Sequence, residues 1–413
     1  MTRIHPFHAL RYTAQAGPLG DLVTQPYDKI SPAMQARYLS LSPYNLVRLI
    51  LGERRANDSA ADNVYTRAAQ SLSDWQAAGI LARDAEPAIF PYFQEFTVPD
   101  TGERLVRKGF IALGPVEEYS AGIVHRHEQT LSGPKKDRLE LLRQTHAHFG
   151  QIFMLYADPA GAVDALLDES AAAAPLAEVT DEYGAIHRLW RTSTDIAALQ
   201  ELMSDKKLLI ADGHHRYETA LAFRKENPEL PGADRVMMTF VNMHSPGLQI
   251  LATHRLVNGI VPEGFPDRFL HAAAEDFQVA EVDSPDALRQ RWADADGRTV
   301  IGAAIGNRLF ALEARDPRGE LDVRVLHRLL LGKALGIGEE AVRDEKHLRY
   351  MRGLDAALQE ARQGTAQIAF LLRPVSVEQV AAISFAGGVM PQKSTDFYPK
   401  LLSGLTIYRL GAE

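Results

Sequence analysis

Apolar positions along the chain alternate between strand-length runs and segments with helical spacing. Leu208 to Ala211 form an apolar run of strand length that stops at Asp212-Gly213, and a helix-forming segment starts directly after His214, His215 and Arg216. The stretch 207–221 therefore predicts strand, turn and helix. Further strands are expected at 46–51, 151–156, 184–190, 236–243, 248–251 and 253–255, with helices at 58–79, 135–149, 157–177 and 195–203. Residues 89–96 and 107–113 flank the turn at 99–102 and predict an antiparallel hairpin, and Pro91 marks its first strand as an edge.

Beyond Pro262 the pattern changes to helices at 266–277, 285–293 and 323–335 around a hairpin of 299–305 with 308–314. These elements predict an α+β protein in three segments: 1–120, 121–260 and 261–413. No repeat or low-complexity tract breaks the pattern.

Composition narrows the class. At 413 residues, with 46% apolar and 24% charged positions, the chain is expected to bury a sizeable core in two or three domains, as a soluble enzyme does. The net charge of -8 argues against DNA and anionic membranes as partners, because both attract a surplus of Lys and Arg. The absence of cysteine excludes disulfides, thiolate metal sites and cysteine nucleophiles, and fits a reducing cytoplasm. Neither a signal peptide nor a run of about 18 apolar residues is present, so a cytoplasmic location without a membrane span is expected.

The candidate chemistry centres on the 207–221 junction. Backbone N–H groups at Gly213 and the positive end of the helix dipole would converge with Arg216 on one point, a setting suited to a phosphate. The competing reading makes Asp212 a helix cap and Arg216 its ion-pair partner. Glu128 follows His127 on a polar loop tethered by the helix at 135–149, whose Leu139, Leu142, His146 and Phe149 share a face.

Other polar clusters say less. His125, His127, His146 and His148 raise the question of a metal, yet His127-Glu128 lacks a second histidine at zincin spacing, and no metal site is expected. Tyr27 and Asp28 on a Pro-set loop read as packing residues. His254 and Arg255 read equally as pocket residues or a surface strand end. The tail stretch 386–395 misses a P-loop, since Gln392 stands at the second glycine and Pro391 removes an N–H, which leaves Lys393 as a source of positive charge.

Several blocks carry a resemblance: Pro26-Tyr27-Asp28-Lys29-Ile30-Ser31, Pro43-Tyr44-Asn45, His127-Glu128-Gln129-Thr130, Ala211-Asp212-Gly213-His214-His215-Arg216-Tyr217-Glu218-Thr219 and the tail from Met390 to Lys400. Together they resemble a widespread bacterial family of uncharacterised proteins. Asp212-Gly213-His214-His215-Arg216 is also similar to the nucleotide-phosphate motif of the ParB/sulfiredoxin superfamily, and most of all to the archaeal free serine kinases within it. Those kinases carry a His-Glu loop upstream, as His127-Glu128 stands here, although the segment between the two motifs is longer in this chain.

The resemblance implies a ParB/sulfiredoxin-like core with N- and C-terminal α+β extensions. It implies a kinase that binds ATP or ADP, or CTP, with Mg²⁺ and phosphorylates a small hydroxylated metabolite such as free L-serine. On this reading Glu128 and His214 are catalytic, and Asp212, Gly213, His215 and Arg216 bind the nucleotide. The alternative is a nucleotide-binding regulatory module without metabolite turnover, although the basic DNA-binding helix-turn-helix of ParB-like proteins is not evident.

Overall fold

The structure is a computed structural model. It describes residues 1–128, 132–259, 264–316 and 320–411, the side chains of Ser132 and Pro134 excepted. Gln129 and Thr130 of the His-Glu block, and the boundary expected at about 260, lie outside the described residues.

The architecture is α+β and is built on two mixed or antiparallel sheets. Eight strands form the first: β1 (Phe90–Thr97), β2 (Arg104–Pro115), β3 (Val124–His125), β4 (Ile152–Tyr156), β5 (Ala177–Thr180), β6 (Ile186–Leu189), β7 (Leu208–Asp212) and β8 (Arg235–Asn242). Their spatial order is β3-β7-β4-β8-β2-β1-β6-β5. The sheet thus draws its middle strands from both the first 120 residues and the segment that follows.

Both faces of β7 are covered, which explains its unbroken apolar run. Leu208 and Ile210 join a core with Met154 and Tyr217, while Leu209 and Ala211 join the larger core on the opposite side. Two helices flank the junction: α1 (Ser132–Thr145) and α2 (His214–Glu226). The second buries Tyr217, Ala220 and Leu221 against the sheet and leaves His214 at its first turn.

A six-stranded antiparallel sheet follows. After the short β9 (Gln249–Leu251) it comprises β10 (Thr253–Val257), β11 (Phe277–Val282), β12 (Val300–Ile305), β13 (Arg308–Ala314), β14 (Leu348–Arg352) and β15 (Ile368–Leu371), in the order β11-β13-β12-β15-β10-β14. The tail strand β16 (Asp396–Tyr398) pairs with β9, so the last residues return to the region between the sheets.

Several local expectations need correction. Residues expected as a strand at 46–51 contain the helical turn Val47–Ile50, because the Asn45 side chain accepts the Val47 N–H at 2.9 Å and starts a helix. The hairpin strand β1 is interior and pairs with β6 on its far side. Pro91 is tolerated there because it sits at the second position of the strand, and its carbonyl still accepts the Trp190 N–H at 2.9 Å. The helix expected at 157–177 is confined to Ala162–Ser170, and the one at 135–149 ends at Thr145, before His146 turns to φ 46°. The apolar stretch before the P-loop-like tail is a helix, Val377–Phe385, so the strand that a P-loop requires is missing.

Candidate functional site

Strand β7 does not run straight into its turn. Its pairing with β4 shifts between Ile210 and Asp212, a bulge that makes Ala211 the extra residue and re-aims Asp212 at the end of the strand. Gly213 then adopts φ 96°, ψ 28°, and a Cβ there would stand 3.0 Å from the Arg216 Nε. Only glycine provides both the left-handed turn and the space. Among the described residues no side chain caps α2, which leaves its positive end to whatever lies in front of it.

Arg216 folds back onto this turn. Its Nη2 donates to Asp212 Oδ2 at 2.9 Å and its Nη1 donates to the Gln151 carbonyl. From Asp212 a ladder of alternating charge runs outward. Asp212 Oδ1 stands 3.9 Å from Lys400 Nζ, Lys400 stands 3.2 Å from Asp396, and Asp396 pairs with Arg352 at 2.6 Å. Arg352 ends β14, so the ladder joins the first turn of α2 to the rim of the second sheet.

Electrostatics follow from that ladder. Burial pushes the Asp212 carboxyl up, but Lys400, Arg216 and Lys29 outweigh it and hold the group below the ordinary carboxylate range. Lys400 is pulled down by burial, and Asp212, Asp396 and Asp28 more than restore it, so it stays charged. Burial and the Lys400 charge lower Lys29. Asp212 is an anion and Lys400 a cation at neutral pH.

Glu128 belongs to this cluster. Burial raises its carboxyl pKa, Asp212 raises it further, and Lys393, Lys29 and the Lys393 backbone N–H oppose the rise without cancelling it. The loop carrying it is fixed by His127, whose ring is buried and pulled down to about 4 by desolvation. A neutral His127 has one donor nitrogen. The Ile210 carbonyl, 2.7 Å from Nδ1, can only accept, so Nδ1 carries the proton and Nε2 accepts from the Thr395 hydroxyl at 2.8 Å.

The two histidines of the junction differ. His214 is buried, well below its ordinary pKa through desolvation, and its Nε2 accepts the His127 backbone N–H at 3.4 Å. A neutral ring in that position brings no positive charge to a phosphate. Its geometry is that of a brace between α2 and the Glu128 loop. His215 is half-buried, lowered by burial, and faces Asp28, Glu218, Lys135 and Lys393.

In front of the ladder lies a cavity of about 320 Å³ lined in part by Lys29, Tyr350, Arg352, Lys393, Asp396 and Lys400. A smaller one of about 60 Å³, behind Arg216, is lined by Tyr27, Arg138, Phe149 and Thr219. Arg138 covers the Tyr27 ring at 4.2 Å, so Tyr27 does pack.

Among the described residues no group of three or more His, Asp or Glu is arranged to hold a metal ion. His148 stacks on Tyr408 and His125 lies against Phe385, apart from His127. Arg255 donates to the Lys393 carbonyl at 3.0 Å and so supports the tail, while His254 accepts the Leu372 N–H at 3.2 Å at the end of β15.

Sequence reasoning nominated Glu128 and residues 212–216 but missed Lys29, Arg352, Asp396 and Lys400. Lys29, Asp396 and Lys400 stood in the motif blocks at Pro26 and Met390, where Lys and Asp beside Pro could have been marked. Arg352 carried no signal of its own.

The chain is an α+β protein with a charged, concave site at a strand-helix junction. A family match spans residues 4–337, and the chain belongs to that family, described as Protein of unknown function (DUF1015). No curated protein matches the chain. Among solved structures it is similar to a free serine kinase mutant in complex with ADP, at 14% identity over 71% of this chain and 92% of that one, with a TM-score of 0.38. It is also similar to a conserved hypothetical protein from Pyrococcus furiosus (15% identity, 70% and 90% of the two chains, TM-score 0.37) and to SbnI with C-terminal truncation from Staphylococcus aureus (13%, 71% and 87%, TM-score 0.38). With TM-scores below 0.5 these likenesses carry no argument.

Proposed function

We propose that the chain is a nucleotide-dependent phosphotransferase acting on a small hydroxylated metabolite, with free L-serine the acceptor that its motifs suggest, on a ParB/sulfiredoxin-like core. One observation carries the reading: Glu128, the Asp212–Arg216 turn and the amines of Lys29, Lys393 and Lys400 form a single electrostatic cluster. Phosphoryl transfer asks a protein for little else than charge neutralisation, alignment and a group to take the hydroxyl proton.

The residues fit a nucleotide phosphate. The uncapped first turn of α2, the Gly213 turn and the Arg216 guanidinium would hold it, as helix N-termini hold anions elsewhere. Lys29 and Lys400, whose charges act on Asp212 at the turn, would balance its charge. Asp212 is the carboxylate that would face Mg²⁺, an ion usually bound by one or two carboxylates together with phosphates. Mg²⁺ would neutralise phosphate charge.

Glu128 supplies the base. A carboxylate raised by burial is more basic than an exposed one and lies nearer the working pH, where general-base catalysis is most effective. His214 then acts by holding the loop that positions Glu128, and His215 would contact the nucleotide.

The test is direct: purified protein with L-serine, Mg²⁺ and ATP or ADP, assayed for O-phosphoserine, followed by a panel of small alcohols. Turnover on any of these alcohols supports the reading. Nucleotide binding without turnover on the whole panel defeats it in favour of a regulatory module.

A further inference from the structure

We infer that the 320 Å³ cavity is the acceptor subsite and that it selects an anionic acceptor, one bearing a carboxylate or phosphate beside its hydroxyl, through Arg352, Lys393 and Tyr350. The inference rests on the phosphotransferase reading only for the word acceptor. The preference for an anion stands on the cavity itself.

The wall is cationic in an acidic protein. Lys29, Arg352, Lys393 and Lys400 line it against one carboxylate, Asp396, whereas the chain as a whole carries -8. Asp28, Glu128 and Asp212 couple to these lysines from outside the lining. Two of the four cations are committed there: Lys400 to Asp212 and Asp396, and Lys29 to Asp28 at 3.9 Å. The other two retain capacity. Lys393 makes no ion pair within 4 Å among the described residues and is exposed. Arg352 spends its Nε and Nη2 on Asp396 while its guanidinium lies 5.0 Å from the Tyr398 ring centroid, which leaves its Nη1 edge for a ligand.

A third polar group points the same way. Tyr350 lines this cavity, and its hydroxyl is buried with no hydrogen-bond partner among the described residues. A buried orphan hydroxyl costs stability unless something pairs with it, and a carboxylate or phosphate oxygen is a suitable partner. Tyr350 and Arg352 both lie on β14, two residues apart and outside the family match at 4–337. Acceptor choice is thereby assigned to the second sheet and the tail, apart from the Asp212 turn where the nucleotide phosphates would sit. The volume also exceeds what a three-carbon acceptor needs.

Calorimetry on the full chain without nucleotide separates the possibilities, using glycerate, glycerol 3-phosphate and glycerol as probes. Glycerate or glycerol 3-phosphate should bind and glycerol should not, and whichever anion is tighter identifies the carboxylate or phosphate preference. Lys393→Gln, an exposed change, and Tyr350→Phe should each weaken the anion at least tenfold, and affinity for a non-hydrolysable ATP analogue should stay within about twofold. Equal binding of glycerol, no binding of any probe at millimolar concentration, anion affinity unchanged in both variants, or displacement of the anion by the ATP analogue overturns the assignment. Anion binding together with absent phosphoryl transfer would remove the kinase reading and leave the anion site standing.

Discussion

Met390 donates its backbone N–H to the His127 carbonyl at 2.7 Å, and this one bond ties the C-terminal tail to the loop that carries Glu128. Thr395 adds its hydroxyl to the His127 ring from the same tail. The tail therefore brings in Lys393, Asp396 and Lys400 and also fixes the loop that carries Glu128. Loop and tail order each other.

Glu128→Gln separates catalysis from binding. The amide keeps the shape but cannot take a proton, so turnover should fall by about 10²- to 10⁴-fold while nucleotide affinity changes little. Steady-state kinetics with calorimetry on the same preparation measures both, and retained turnover would remove Glu128 from the chemistry.

The sequence made the β7-α2 junction legible because a doubly covered strand leaves an unbroken apolar run, and Asp-Gly ends it unambiguously. Short apolar runs elsewhere were not decidable by period. At 46–51 the outcome turned on the Asn45 side chain reaching the Val47 N–H, a contact invisible to a hydrophobicity pattern. The charge ladder is harder still. Asp212, Lys400, Asp396 and Arg352 meet only because β16 pairs with β9 and β14 with β10, and long-range pairing leaves no mark in local spacing.

Gly213→Ala tests the turn. The new methyl would meet the Arg216 guanidinium at 3.0–3.1 Å in a left-handed backbone, so a stability loss of about 1–3 kcal/mol is expected, together with weakened nucleotide binding. Urea unfolding and calorimetry check the pair of effects. A fully stable variant with unchanged affinity would show that the turn tolerates another shape.

Arg216→Ala should destabilise as well as weaken nucleotide binding. The side chain holds Asp212 and the Gln151 carbonyl at once, and hydrogen bonds to charged groups contribute about 1.5–3 kcal/mol. Arg216→Lys keeps the charge but cannot span both partners with a planar fork, so recovery should be partial. Stability lost without any change in affinity would assign Arg216 to the fold alone.

Acidification should unfold the protein ahead of any carboxylate effect, because several histidines are buried neutral. Burial pulls His127, His148, His254 and His327 from 6.5 down to about 4. Between those values the unfolded chain takes up protons that the folded chain refuses, so stability falls as pH drops through the window from 6.5 towards 4 and levels off below it, where both states are protonated. Asp212 acts in the same direction at lower pH, since a depressed carboxylate loses its contribution only as pH falls from the ordinary carboxylate value towards the folded one. Each histidine adds up to one proton to the slope, about 1.4 kcal/mol per pH unit. His254 is the cleanest probe because its Nδ1 accepts the Leu372 N–H at the end of β15 and it does not line the cavity. His254→Asn preserves an acceptor and removes the titration, so denaturation midpoints between about pH 7 and about pH 5 should fall less steeply in the variant by up to that amount. A flat profile in the parent protein, or the same slope in both, would mean that these rings take up protons without unfolding the chain.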